Sequence, residues 1–244
     1  MLPVLGFKTF VGNLERAAAA VVERGRSGAG GYAVLANVHV LVTAQRDRDL
    51  SAALRGAWHV FPDGAPVAWL QRRRGRVAAE RIAGAELMLA VARAGAPYGL
   101  RHAFFGGTRE TLAALEQRLT AEVPGLLICE SVAPPFAPLD TLGPHIDAIR
   151  QAGADVVWVA LGAPKQEIFM ARHAAGLGGL ALGVGAAFDF LSGSKSRAPR
   201  WMQRTGFEWA HRLASEPRRL AGRYLRTNSE FLVRAALELC RGRG

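Results

Sequence analysis

The 244-residue chain predicts an α/β fold: a largely parallel sheet covered by helices on both faces, followed by a basic helical appendage. Three observations carry this. Short runs between residues 30 and 190 are apolar at nearly every position rather than at alternate ones, as strands buried on both faces must be. Longer segments of helical period separate them, the pattern of strand-helix-strand units. After the stretch "SGSKSRAP" the composition becomes basic and purely helical.

In chain order, an Ala-rich helix near residues 17–20 precedes the first strand at 32–36. Further strands are predicted at 58–61, 102–105, 126–129, 155–161 and 180–184. Helices fall near 47–55, 65–73, 85–94, 109–122, 144–152 and 164–175. From Pro199 onward two or three basic amphipathic helices are expected, broken near Pro217 and around Thr227. The chain divides into a core over 1–194 and an appendage over 195–244. There is no internal repeat.

Half of the residues are apolar, enough for one packed core. The 31 Lys and Arg against 20 Asp and Glu leave a formal charge of +11, which points to an anionic partner. From Lys195 onward 12 side chains are basic and 4 acidic, so the last fifth of the chain holds most of that excess. Cys129 and Cys240 lie far apart without CxxC or His-rich neighbours, which excludes a disulfide framework and a zinc motif. No apolar run approaches the roughly 18–20 residues of a membrane span, and no signal peptide is present, so a cytoplasmic protein is expected.

Parallel sheets place ligands beyond the carboxyl ends of their strands. Asn37 and His39 follow the first strand, Asp63 the second, Gly106 and Gly107 the third, residues 162–166 the fifth and residues 185–189 the sixth. Asp63, in "HVFPDGAPVAW", suits a turn or helix cap, and equally a base held at a cleft. "GVGAAF" follows a strand but has Phe188 in place of the third glycine and no acidic residue to bind a ribose, so it does not make a dinucleotide fingerprint. "LGAPKQE" sets Pro164, Lys165, Gln166 and Glu167 at a helix start; it serves as an anion site or as ordinary capping with a solvated Lys-Glu surface. Asp189, between two phenylalanines, needs an arginine partner or a ligand such as a nucleobase imide. Arg72, Arg73, Arg74 and Arg76 form a run that reads as a solvated helix end or a contact with membrane phosphates. His39 reads as a structural imidazole or a site residue, and the six histidines lack metal-ligand spacing.

The segments "ANVH", "FPDGAPVAW", "RIAGAEL", "FFGGTRETL", "LGAPKQE" and "GVGAAFDFLSGSKSRAPRWMQRTGFEWAHRLASEPRRLAGRYL" resemble the WecG/TagA/CpsF family of bacterial glycosyltransferases, in matching order from about residue 4 to residue 233. The resemblance implies a Rossmann-like core and an inverting, UDP-sugar-dependent transferase. Its acceptor would be an undecaprenyl-diphosphate-linked sugar, used in cell-surface polysaccharide or teichoic acid synthesis. No cofactor and no metal are expected. The protein would associate peripherally with the inner face of the membrane through the appendage, and a homo-oligomer is left open.

The resemblance assigns Asp63 as general base and places Asn37, Arg81, Gln166 and Asp189 at the sugar and nucleotide sites. It makes Arg212, Arg219 and Arg223 candidates for the diphosphate. His39 and Lys165 complete the expected substrate-binding set. Two positions depart from the family pattern: Leu35 replaces a threonine, and Glu86 replaces an aspartate. N-acetylmannosamine, its uronic acid, glucose and galactose all fit as donors. The alternatives are a nucleic-acid-binding protein using the basic tail, disfavoured because no nucleic-acid motif is present, and an inactive scaffold of a polysaccharide assembly complex.

Overall fold

The structure is a computed structural model that describes residues 1–75, 77–199, 202, 208–215 and 217–241. Side chains at 208, 212, 215, 218–220, 223 and 241 lie outside that description. The chain opens with a hairpin, β1 (Leu2–Val4) and β2 (Phe7–Thr9), paired antiparallel. The Phe10 N–H then donates to the Val60 carbonyl at 2.8 Å, fastening the hairpin to the main sheet.

That sheet has six strands, all parallel: β3 (Tyr32–Ala36), β4 (His59–Pro62), β5 (Arg101–Gly106), β6 (Leu127–Val132), β7 (Val156–Ala160) and β8 (Leu180–Gly183). Their spatial order is β4-β3-β8-β7-β5-β6. Consecutive side chains on a strand point to opposite faces, so each apolar run feeds two cores. Ala33, Leu35, Phe104, Val156, Trp158 and Leu182 pack on one face. Val34, Ala36, Phe105, Val157, Val159 and Ala181 pack on the other.

The first face is covered by α1 (Leu14–Arg26), α5 (Gly84–Gly95), α6 (Arg109–Glu122) and α9 (Ala187–Ser192). The second carries α2 (Val38–Thr43), α3 (Arg48–Gly56), α4 (Ala65–Gly75), α7 (Gly143–Ala152) and α8 (Lys165–Leu177). Asn13, Asn37, Asp47 and Thr108 each accept a backbone N–H near the start of the helix that follows, satisfying donors the helix cannot. One buried polar pair crosses the sheet: Trp158 Nε1 donates to His102 Nδ1 at 3.0 Å, and burial pushes the His102 pKa down to about 4.

Beyond the core come α10 (Glu208–Ser215) and α11 (Pro217–Arg241). The interruption expected near Pro217 falls on residue 216, which lies outside the described residues. The break expected around Thr227 does not occur, because Thr227 is buried and the apolar anchors Phe231 and Ala235 sit one and two turns later in the second core. Ser229 meanwhile bonds back to the Leu225 carbonyl at 2.5 Å. Tertiary packing outweighs the weak helix propensity of Thr, Asn and Ser. Glu238 completes the docking: it accepts the Leu5 N–H at 3.0 Å and pairs with Arg74. Arg74 also donates to the Pro3 carbonyl at 2.6 Å, so this member of the arginine run ties α4 to the hairpin and α11.

Among the described residues, no helix is long and apolar enough to cross a membrane.

Candidate active site

Among the described residues, most of the expected site residues collect at the carboxyl edge of the sheet, in two groups. At the β3–β4 end, Asn37 caps α2 by accepting the Val40 N–H at 3.1 Å. His39, in the first turn of that helix, lies 3.4 Å through Nδ1 from the Thr43 hydroxyl. Asp63 follows β4 directly, and its N–H donates to the Ala36 carbonyl at 3.0 Å, so it stands beside Asn37. Asp63 is half-buried as a residue. A crossing segment, residues 77–83, brings the fourth member: the Ile82 N–H donates to the Pro62 carbonyl at 2.8 Å, which sets Arg81 next to the Pro62–Asp63 turn.

The same segment spans the sheet's edge. At Gly84 a Cβ would lie 2.9 Å from the Val184 carbonyl oxygen, a contact only glycine tolerates, so α5 starts against the end of β8. Two residues on, Glu86 Oε1 accepts from Arg81 Nη2 at 3.0 Å and from Arg197 Nη2 at 2.7 Å. The Glu86–Arg197 contact joins residues 111 apart, a link that no local pattern announces.

At the β7–β8 end Gln166 and Glu167 are sealed, while Asp189 stays half-buried. Gln166, at 3 % exposure, accepts the Gly185 N–H at 3.1 Å and donates to Glu167 Oε1 at 2.8 Å. Its amide therefore braces the turn after β8. Glu167 is fully buried, and its Oε2 lacks a hydrogen-bond partner. Burial pushes its pKa up to about 7, with the Gln166 and backbone hydrogen bonds opposing the rise. The solvated Lys-Glu surface weighed for this motif is thus not what forms. Lys165 turns away, donating to the Ala137 carbonyl at 3.0 Å and lying 4.8 Å from the ring centroid of the fully exposed Phe136.

Asp189, in α9, pairs with Lys195 at 3.1 Å rather than with an arginine. The Lys195 N–H also bonds to the Asp189 carbonyl at 3.0 Å. The side chains of Arg212, Arg219 and Arg223 lie outside the described residues.

The structure therefore brings Asn37, His39, Asp63 and Arg81 to one end of the edge and Gln166 and Asp189 to the other, while Lys165 faces the loop after β6. Sequence patterns missed Arg197 and Phe136 as parts of this edge, and they placed Glu167 at the helix start without showing its burial. Chemically, the first group offers a carboxylate that can accept a proton, on Asp63, and a guanidinium, on Arg81, whose planar fork suits paired anionic oxygens. The sequence model of the Glycosyl transferase WecG/TagA/CpsF family matches residues 2–244.

Proposed function

Because the chain belongs to the WecG/TagA/CpsF glycosyltransferase family, we propose that its glycosyl transfer is inverting. It moves a hexose or N-acetylhexosamine-type sugar from a UDP-sugar to an undecaprenyl-diphosphate-linked sugar, in polysaccharide or teichoic acid assembly. The observation that carries this reading is the setting of Asp63: a half-buried aspartate at the carboxyl end of a parallel strand, beside Asn37 and next to the segment that delivers Arg81.

In this mechanism Asp63 takes the proton of the acceptor hydroxyl as its oxygen attacks the anomeric carbon from the face opposite UDP. The bond from that carbon to the diphosphate breaks, and UDP departs with the electron pair. Arg81, with Arg212, Arg219 and Arg223 from the appendage, stabilises the charge that develops on the diphosphate. Asn37 and His39 line the sugar side; Asp189 faces the nucleotide. Gln166 and Lys165 act by holding the turn after β8 and the loop after β6, respectively.

Residues 195–244 complete the site and dock on the anionic inner leaflet. In support, the outer face of α11 exposes Leu225, Leu232, Val233 and Leu237, and basic residues near such a surface contribute about 1 kcal/mol each. The test is UDP release across a panel of UDP-sugars, with and without a lipid-diphosphate sugar acceptor. Release that depends on both substrates is expected. Absence of transfer with every donor would leave the chain a scaffold.

A further inference from the structure

The Glu86 contacts differ from an ordinary surface ion pair. The three side chains are only 17 % (Arg81), 31 % (Glu86) and 24 % (Arg197) exposed, and both guanidiniums converge on one oxygen, Oε1. Fully exposed pairs contribute little, but partly desolvated, charge-assisted bonds hold geometry. Arg197 also belongs to a segment fastened elsewhere. Lys195 bonds to Asp189 through both its ammonium and its backbone, and Ala198 is buried at 3 % exposure. Residues 194–199 thus form a strap over the β8 end, and Glu86 joins that strap to the segment beside Asp63.

Side-chain length makes the joint specific. An aspartate at 86 would withdraw its carboxylate by about 1.5 Å, one carbon–carbon bond. With the present contacts at 3.0 and 2.7 Å, it could not keep both. Here lies a physical reason for the longer acid at a position where the resembling motif has aspartate.

We propose that Glu86 is a positioning residue: it latches the 194–199 strap to Arg81, so that both guanidiniums are already oriented when an anionic nucleotide diphosphate arrives. This deepens the function proposed above and rests on it. The latch acts through the two guanidiniums it orients, and Glu86 itself need not touch the reacting atoms.

The test uses the full chain as wild type, Glu86→Ala and Glu86→Gln, with UDP as the probe. Amide hydrogen exchange is read at residues 194–199 without ligand, and UDP affinity by calorimetry. Glu86→Ala is expected to speed exchange in the strap, weaken UDP about tenfold, and lower kcat/KM by at least as much. Glu86→Gln, whose amide oxygen can accept the same two bonds, should recover most of the affinity. Unchanged strap exchange overturns the proposal; so does faster exchange with unchanged UDP affinity, which would make the contact merely structural. If Glu86→Ala fails to fold, Arg197→Gln removes one of the two bonds and carries the same readouts. A wild-type protein that binds neither UDP nor a UDP-sugar would sink the proposed function instead, and strap exchange would still decide whether the latch exists.

Discussion

Where β3 and β4 end, the polar side chains stay half-buried: Asp63 and Asn37 stand together, and Arg81 is delivered beside them. Where β7 and β8 end, the "PKQE" pair is sealed, though Asp189 nearby is not: Gln166 is 3 % exposed, Glu167 is fully buried, and the amide and one carboxylate oxygen are spent on each other and on Gly185. Both ends belong to one parallel sheet and both carry family-like motifs. The difference teaches that burial divides the labour. A half-buried side chain at a strand end can meet a substrate, whereas one taken out of water braces the interior. Substitutions at the sealed end should therefore act first on stability, and those at the open end first on turnover.

The largest stability effect is expected at Gly106, on the sealed side. It has φ +124°, and an added Cβ would lie 2.4 Å from the Ala160 carbonyl oxygen. Gly106→Ala combines a strained backbone with an overpacked crevice and should cost roughly 3 kcal/mol, read as a lower urea midpoint. A midpoint like wild type would break the comparison.

Next comes pH. The Glu167 carboxyl has its pKa raised by burial from 4.5 to about 7, so between these values the folded chain holds one proton more than the unfolded chain. Stability from this group is full below about pH 4.5 and is lost as pH rises through about 7, a change of roughly 3 kcal/mol. Urea midpoints for wild type should fall from pH 5 to pH 8 by more than those of Glu167→Gln. Parallel profiles would show that the buried carboxyl does not titrate there.

At the open end, Asn37→Ala removes the cap on α2 and should cost about 1 kcal/mol, with a loss of turnover larger than that stability change explains. The smallest effect belongs outside both ends: Asp147→Ala breaks the exposed pair with Arg150 and should shift stability by less than about 0.5 kcal/mol, with turnover intact.

The sheet was legible because strands buried on both faces leave continuous apolar runs; the 32–36 strand and the 109–122 helix form with the expected bounds. The hairpin was not, since three-residue strands are too short to show a period. Nor was α2: Val38, Val40, Val42 and Thr43 are β-branched and favour strand, yet the Asn37 cap and burial of its apolar face make it a helix. Within the site, the motif positions could be read from the chain but their directions could not. "PKQE" looks like a charged helix start; that Lys165 leaves the cleft while Glu167 enters the core depends on strands far away in sequence. The Glu86–Arg197 joint has the same origin.

The most direct measurement is on Asp63→Asn, assayed for sugar transfer to the lipid-linked acceptor and, in the same preparation, for UDP affinity. With Asp63 as the base, turnover should fall by about 10²–10⁴-fold while UDP binds as in wild type. Near-normal turnover in that variant would contradict the assignment.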